Sequence, residues 1–574
     1  MAYNRPPRSL QLTIVADMGH MIDHNYIYLL RPIPLSHSEM PKPLMEMLLI
    51  QLQAIGGVLA LALLIYHLWI PKGTTYVDNK SKVTEAPEAP GAWPIIGHLL
   101  QLSQPLHRTL AAMADKHGPA FTVRFGVHRT LIISSRELAM ECFTINDRAL
   151  ASRPRSASSN HLSYDYALMG LAPYGPYWRE VRKWVVLELL STRRLVSLRQ
   201  VRYAEIENCV KDLYGLWVRN NRNQIKVEMN RLFRDLTMNI VLKMVVCKRY
   251  FSFVDGENNE EVQRIQSLIV DFFKYVGVSV ASDVLPSFLS WFDWDGQQRT
   301  MKKIAKEMDV LAESWLQEHR QKRVSEKTTD GDQQQDFMDV MLSFLEEDAQ
   351  LHGHDRDTIV KATALNMIVA ATDTTALSLS WVLSLLLNHK EVLTKAQEEL
   401  DFHIGKDRNV EEEDIDNLVY LQAIIKETFR LYPAGPLLAP HVAMEDCTFS
   451  SGFRVTKGTR VLVNAWKIHR DPQVWTNPLE FQPERFLTRH ADMDVRGKSF
   501  ELIPFGSGRR SCPGMMFALK TMNMMVARLL HGFNLQTPSD KPVDMTEGTG
   551  LTMPKEFPLE VLLSPRLPYS HLYE

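Results

Sequence analysis

From about Leu99 onward, apolar residues recur three and four positions apart through most of the chain, the spacing that puts them on one face of a helix. Strict alternation takes over only locally. In FTVRFG, Phe121, Val123 and Phe125 alternate with polar positions and TLIIS follows; in EFPLEVLL, Phe557, Leu559, Val561 and Leu563 alternate again. Such stretches read as strands. The pattern predicts a mainly α domain with small β-sheets.

Two runs are apolar beyond one face. Residues 44–70, LMEMLLIQLQAIGGVLALALLIYHLWI, carry no polar side chain from 54 to 65, and roughly 20 apolar residues span a bilayer. Tyr66 and Trp69 suit its interface, so the run reads as one transmembrane anchor; Lys72, Lys80 and Lys82 after it outnumber Lys42 before it, which puts the larger domain on the cytosolic side. Residues 359–388 are nearly as apolar, but Lys361, Asn366 and Asp373 interrupt them. A carboxylate deep in a bilayer is costly, so this segment is predicted as a buried central helix about 45 Å long.

Residues 1–43 lack periodicity and are read as an N-terminal extension of unassigned role. Residues 71–98 form a linker and hinge stiffened by Pro87, Pro90 and Pro94. Residues 99–574 make the main domain, and within it residues 324–336, VSEKTTDGDQQQD, read as a solvated loop. A net charge of -2 gives no long-range pull toward polyanions, and no nucleic-acid motif occurs, so nucleic acid is excluded as a partner. Five scattered cysteines argue against a disulfide framework and against paired-cysteine zinc sites. Cys142, Cys209, Cys247 and Cys447 read as small buried apolar residues.

Cys512 stands apart. It lies in PFGSGRRSCPGMM, where a loop gives way to an apolar helical pattern from 517 to 530. Unpaired amides at a helix start stabilise a thiolate, which is a soft ligand suited to haem iron. Gly506, Gly508 and Gly514 permit close backbone approach to a flat cofactor, and Arg510 is placed to meet a carboxylate. Three further groupings lie upstream. Trp178 and Arg182 in WREVR share a helical face, as do Glu427 and Arg430 in KETFR. In AATDTT, residues 370–375, a threonine hydroxyl can bond a carbonyl one turn back and open the helix. The chain has no glycine-rich dinucleotide unit after a strand.

Phe505-x-x-Gly508-x-Arg510-x-Cys512-x-Gly514 resembles the haem-binding signature of the cytochrome P-450 family, and the other groupings follow that family's order. The resemblance implies haem b held through iron by Cys512, with Phe505, Gly508 and Arg510 in the cofactor loop. It implies that Trp178, Arg182 and His441 meet the propionates, and that Glu427, Arg430 and Arg485 (in PERF) form a structural network. Asp373 and Thr374 would relay protons to dioxygen, although Ala371 stands where many relatives have glycine. Electrons would come from NADPH through a separate membrane-bound reductase. That implies a single-pass enzyme of the endoplasmic reticulum membrane, with residues 99–574 as its haem-binding catalytic domain. APGAWPIIGHL, INDRALASRPRS and YGPYWREVRK are similar to one plant clade acting on benzylisoquinoline alkaloids (N-methylated protoberberines and protopine), nicotine, flavones and terpenoid alcohols. The pocket is expected to include Ala370, Leu437, Leu438 and Leu551, an apolar set suited to a small rigid ring system. The expected activity is hydroxylation of a benzylisoquinoline-type alkaloid, with a flavonoid or terpenoid as the alternative. From other classes, a reductase-independent haem-thiolate isomerase or dehydratase and a non-catalytic haem sensor remain alternatives.

Overall fold

A computed structural model describes residues 51–61, 84–251, 260–276, 280–286, 293, 295–326 and 335–573. The extension at 1–43, the anchor residues 44–50 and 62–70 and the loop residues 327–334 lie outside these. Within the anchor, Gln51–Leu61 is an apolar helix, exposed along its length.

Five helices position the site: α1 (Pro176–Trp184), α2 (Met229–Val246), α3 (Arg356–Asn388), α4 (Val419–Leu431) and α5 (Met515–Gly532). Helix α3 is the predicted central helix. The Asp355 carboxylate caps it by accepting the Thr358 amide at 2.8 Å. Its burial on all sides explains why its sequence shows no stripe; between residues 359 and 387 burial breaks only within 369–374. Lys361 enters this apolar wall because Asp309 and Glu313 accept from it at 2.7 and 3.0 Å. Helix α2 packs along α3, where the Thr237 hydroxyl donates to the Thr372 carbonyl at 3.2 Å.

Two of the sheets are formed by β1 (Ala120–Phe125), β2 (His128–Ile133), β3 (Ile225–Glu228), β4 (His441–Val442), β5 (Arg460–Val463), β6 (Phe533–Gln536) and β7 (Glu560–Pro565). One sheet has the order β1-β2-β5-β4, with β2 and β5 parallel and the other pairs antiparallel. His441 therefore sits on its last strand, opposite Val461. The order β6-β7-β3 makes an antiparallel second sheet, and the connection between β6 and β7 carries Leu551 and Thr552. The hinge docks on the first sheet, the Ala89 amide donating to Thr122 at 2.9 Å.

Four local expectations need correction. Thr122 is buried together with Phe121 and Val123, because β1 is covered on both faces at that end. Phe557 is 53% exposed and outside β7; Pro558 has no amide to give the ladder, and the strand starts two residues later. Cys142 and Cys209 are buried as expected, but Cys447 is half-buried and Cys247 exposed, the latter because it ends α2 in a left-handed turn, φ +54°. Residues 324–326 continue the preceding helix, Gln297–Glu326, instead of opening the loop.

Candidate active site

The cysteine loop folds back on itself. The Cys512 amide donates to the Phe505 carbonyl at 2.9 Å, while Gly506 and Gly508 turn the chain at φ +68° and +69°. At Gly508 a side chain would strike backbone and carboxylate, since a Cβ there would lie 2.7 Å from the Phe143 carbonyl and 2.6 Å from Asp147. Gly508 thus seats the loop on a neighbouring segment and does not border the cavity. Phe505 packs edge-on against Phe429 of α4, with 5.1 Å between centroids. The Cys512 side chain is accessible, and its sulfur borders a cavity of about 420 Å³. Surrounding protein pushes its thiol pKa up, against the Gly514 amide and Arg182, which favour the thiolate.

Around the same end of the cavity lie three arginines without an acid. Arg510 donates to the carbonyls of Ala151 (2.7 Å), Met169 (3.3 Å) and Ala172 (2.6 Å) and stacks on Trp178 at 4.2 Å. Arg182 lies 5.4 Å from the centroid of the same indole and donates to the Ser511 carbonyl at 2.7 Å. Arg153 donates to the carbonyls of Ala439 and Pro440 at 3.0 and 2.7 Å. Among the described residues none of the three contacts a carboxylate; Asp147 pairs with Arg509 instead. Burial lowers all three guanidinium pKa values; repulsion from Arg182 adds to this at Arg153, and repulsion from Arg153 and Arg182 at Arg510, which falls to about 8, whereas Cys512 and Asp147 partly offset it at Arg182. His441 joins them. Its Nδ1 bonds the Leu150 carbonyl at 2.7 Å, and burial, then Arg153, lowers its pKa to about 3.

Behind the loop the charges are closed. Arg430 makes a two-pronged pair with Glu427, at 2.7 and 2.8 Å, and the Arg485 Nε adds a contact to Glu427 at 3.1 Å. Arg430 also donates to the His469 carbonyl at 3.0 Å. The His469 Nε2 accepts the Ile503 amide at 2.9 Å, so the network reaches the chain just before the cysteine loop. Accepting there requires a neutral ring; burial, then Arg470, lowers the His469 pKa to about 3.

The cavity that Cys512 borders is also lined by Ala370 and Thr374 of α3 and by Leu438 and Leu551. The Thr374 hydroxyl donates to the Ala370 carbonyl at 2.8 Å, as the spacing implies. The helix does not open there: residues 370–375 stay helical, because one carbonyl oxygen can accept both bonds. Asp373 does not border the cavity. It accepts the Thr552 hydroxyl at 3.1 Å, and although its side chain is accessible, the protein crowded around it raises its carboxyl pKa. Leu437 faces the other way and packs on the Phe121, Val123 and Ile132 cluster, whereas Leu438 enters the cavity wall with φ +52°.

Sequence reasoning missed Arg153, His469 and Thr552 as site residues. Asn366, a polar break in an apolar run, falls within the 365–370 stretch of the long helix expected to line the pocket, and it borders the cavity.

A family model described as Cytochrome P450 matches residues 87–561. The chain belongs to the cytochrome P450 family. A strychnine-10-hydroxylase of Strychnos nux-vomica is 51% identical, covering 90% of this chain and 97% of its own. A xanthotoxin 5-hydroxylase of Arabidopsis thaliana is 50% identical (85% and 94%), and a flavonoid-6-hydroxylase of Ocimum basilicum 47% (87% and 93%). Among solved structures, a zebrafish cytochrome P450 with progesterone superposes with a TM-score of 0.66 at 26% identity, covering 81% of this chain and all of the other. This P450 is thus a plant-type monooxygenase of specialised metabolism, using haem iron reduced from NADPH through a reductase. Its described residues fit that cofactor: an accessible sulfur at one end of the cavity, and three acid-free guanidiniums that suit the two carboxylates of a porphyrin.

Proposed function

We propose that this cytochrome P450 hydroxylates a rigid apolar alkaloid, with a benzylisoquinoline type as first candidate, at a haem whose iron is ligated by Cys512. The observation that carries the site assignment is that Cys512, Thr374, Arg510 and His441 line one cavity. Bound haem supplies the oxygen chemistry, and a thiolate ligand favours O–O cleavage. Arg153, Arg182 and Arg510 hold its carboxylates, with Trp178 stacked between the latter two. Phe505 and Gly508 shape the loop. Glu427, Arg430 and Arg485 fix the segment behind it. Thr374 holds a proton at its hydroxyl; Asp373, whose carboxyl pKa is raised, exchanges protons with it after release from Thr552. Ala370, Leu438 and Leu551 exclude water. The strychnine hydroxylase at 51% identity supports the alkaloid reading; coumarin or flavonoid hydroxylation is the second reading, on the 50% and 47% relatives.

Residues 44–70 anchor the protein by a single pass in the endoplasmic reticulum membrane, and residues 71–98 link the anchor to a catalytic domain, 99–574, facing the cytosol and its NADPH–cytochrome P450 reductase. The apolar helix within the anchor supports this. The test is turnover by microsomes containing the full chain and reductase, across a panel of alkaloids, coumarins and flavones. NADPH-dependent products one oxygen heavier, formed fastest from alkaloids, are expected. A preference for flavones or coumarins overturns the substrate assignment, and turnover without NADPH or no turnover overturns the hydroxylase reading.

A further inference from the structure

We infer that Asn366 selects the substrate, its side-chain Nδ2 donating a hydrogen bond to a carbonyl or ether oxygen at the end of the molecule remote from the oxidised carbon. This rests on the reading of Thr374 as the oxygen-handling end of the cavity. Asn366 is 7% exposed on α3, and its Oδ1 accepts the Gly170 amide at 2.9 Å. Because a backbone N–H can only donate, that bond fixes which way the amide points. The Nδ2 is left with two N–H groups and has no hydrogen-bond partner among the described residues; it is not sealed off, and the residue borders the cavity. An unmade donor in an apolar wall is costly, and Val241, Met244 and Met367 form that wall.

The other α3 hydroxyls on the cavity are spoken for or shut away. Thr374 donates to Ala370 and Ser378 to the Thr374 carbonyl, and the unpartnered Thr375 hydroxyl is enclosed by protein. Asn366, Ala370 and Thr374 follow one ridge of the helix at intervals of four residues. Eight residues separate the first from the last, which is roughly 12 Å along the axis. An acceptor at Asn366 and a reacting carbon near Thr374 therefore require a molecule several fused rings long. Among the described residues no Asp or Glu lines the cavity, so a protonated amine finds donors where it needs an acid. An alkaloid substrate then enters as the neutral base, with its oxygen function leading.

The test uses the full-length holoenzyme and two probe pairs: strychnine with strychnidine, and 5α-androstan-3-one with 5α-androstane. Within each pair a carbonyl is replaced by a methylene. Dissociation constants are read from the spectral shift of the haem on binding, which needs no turnover. The carbonyl member of at least one pair is expected to bind about tenfold tighter or better, a difference of about 1.4 kcal/mol. Asn366→Leu should erase that preference. So should Asn366→Asp, which keeps an oxygen for the Gly170 amide but loses the donor. Both variants should retain full haem content and the carbon monoxide band of a thiolate-bound haem. A wild type with no preference in either pair, or variants that keep it, overturns the inference. Absence of the band in the wild type overturns the underlying haem-thiolate reading instead.

Discussion

Two clusters of arginine, one buried and one half-buried, flank the cysteine loop, and they are built to different ends. Behind the loop, one carboxylate, Glu427, answers Arg430 and Arg485, and backbone carbonyls take up further guanidinium donors. Beside the cavity, Arg153, Arg182 and Arg510 bond to carbonyls but to no acid among the described residues; burial lowers their pKa values, and repulsion adds to this at Arg153 and Arg510. A closed cluster is a structural pin. An open one has an affinity left over, and the group that satisfies it must bring negative charge.

The largest effect should come from opening the closed cluster. Glu427→Gln leaves two buried guanidiniums without their anion, and breaking such a pair costs about 3–5 kcal/mol; denaturant unfolding should show a loss of that size with or without haem. In the open cluster the dependence should reverse. Arg182→Met removes a group with a single strong carbonyl bond, so the apoprotein should change by less than about 1 kcal/mol, while haem transfer to an acceptor protein should quicken about tenfold, the worth of a charge-assisted hydrogen bond. Equal losses in apoprotein and holoenzyme would erase the distinction.

Acid sharpens the same contrast. His441 and His469 both have folded pKa values near 3, below the usual 6.5, so the unfolded chain binds more protons between those limits. Each contribution is fully present above about pH 6.5 and is lost as pH falls toward 3, about 1.4 kcal/mol apiece at pH 5.5. Haem carboxylates beside His441 should raise its pKa and remove its share in the holoenzyme; His469, behind the loop, should keep its share. Comparing pH-dependent unfolding of His441→Phe and wild type, each with and without haem, checks this. The smallest effect on the fold should come from Thr374→Ala: unchanged haem content, with reducing equivalents diverted from product to peroxide. Normal coupling in that variant would contradict the assignment of its hydroxyl to proton handling.

What could be read from the chain was what lies within one helix or one turn. Glu427 and Arg430 are three residues apart, Trp178 and Arg182 four, Ala370 and Thr374 four, and each pair meets as the helix repeat requires. The central position of α3 followed from its uniform apolarity. Contacts made by the tertiary fold were out of reach: Asn366 meets Gly170 across 196 residues, and His469 joins the Glu427 network to Ile503 through a ring that nothing local marks. Leu437 and Leu438 belong to an irregular segment with no period to say which faces inward, and only the left-handed turn at Leu438 decides it. The unopened helix at Ala370 shows that a hydroxyl bond to a carbonyl does not itself displace the backbone bond.

The most direct test of the account is the spectrum of the reduced full-length protein under carbon monoxide, with Cys512→Ser alongside. The wild type should show the absorption band of thiolate-bound haem and the variant should lack it. A wild type without that band, or a variant that keeps it, would contradict the assignment of Cys512 as the iron ligand.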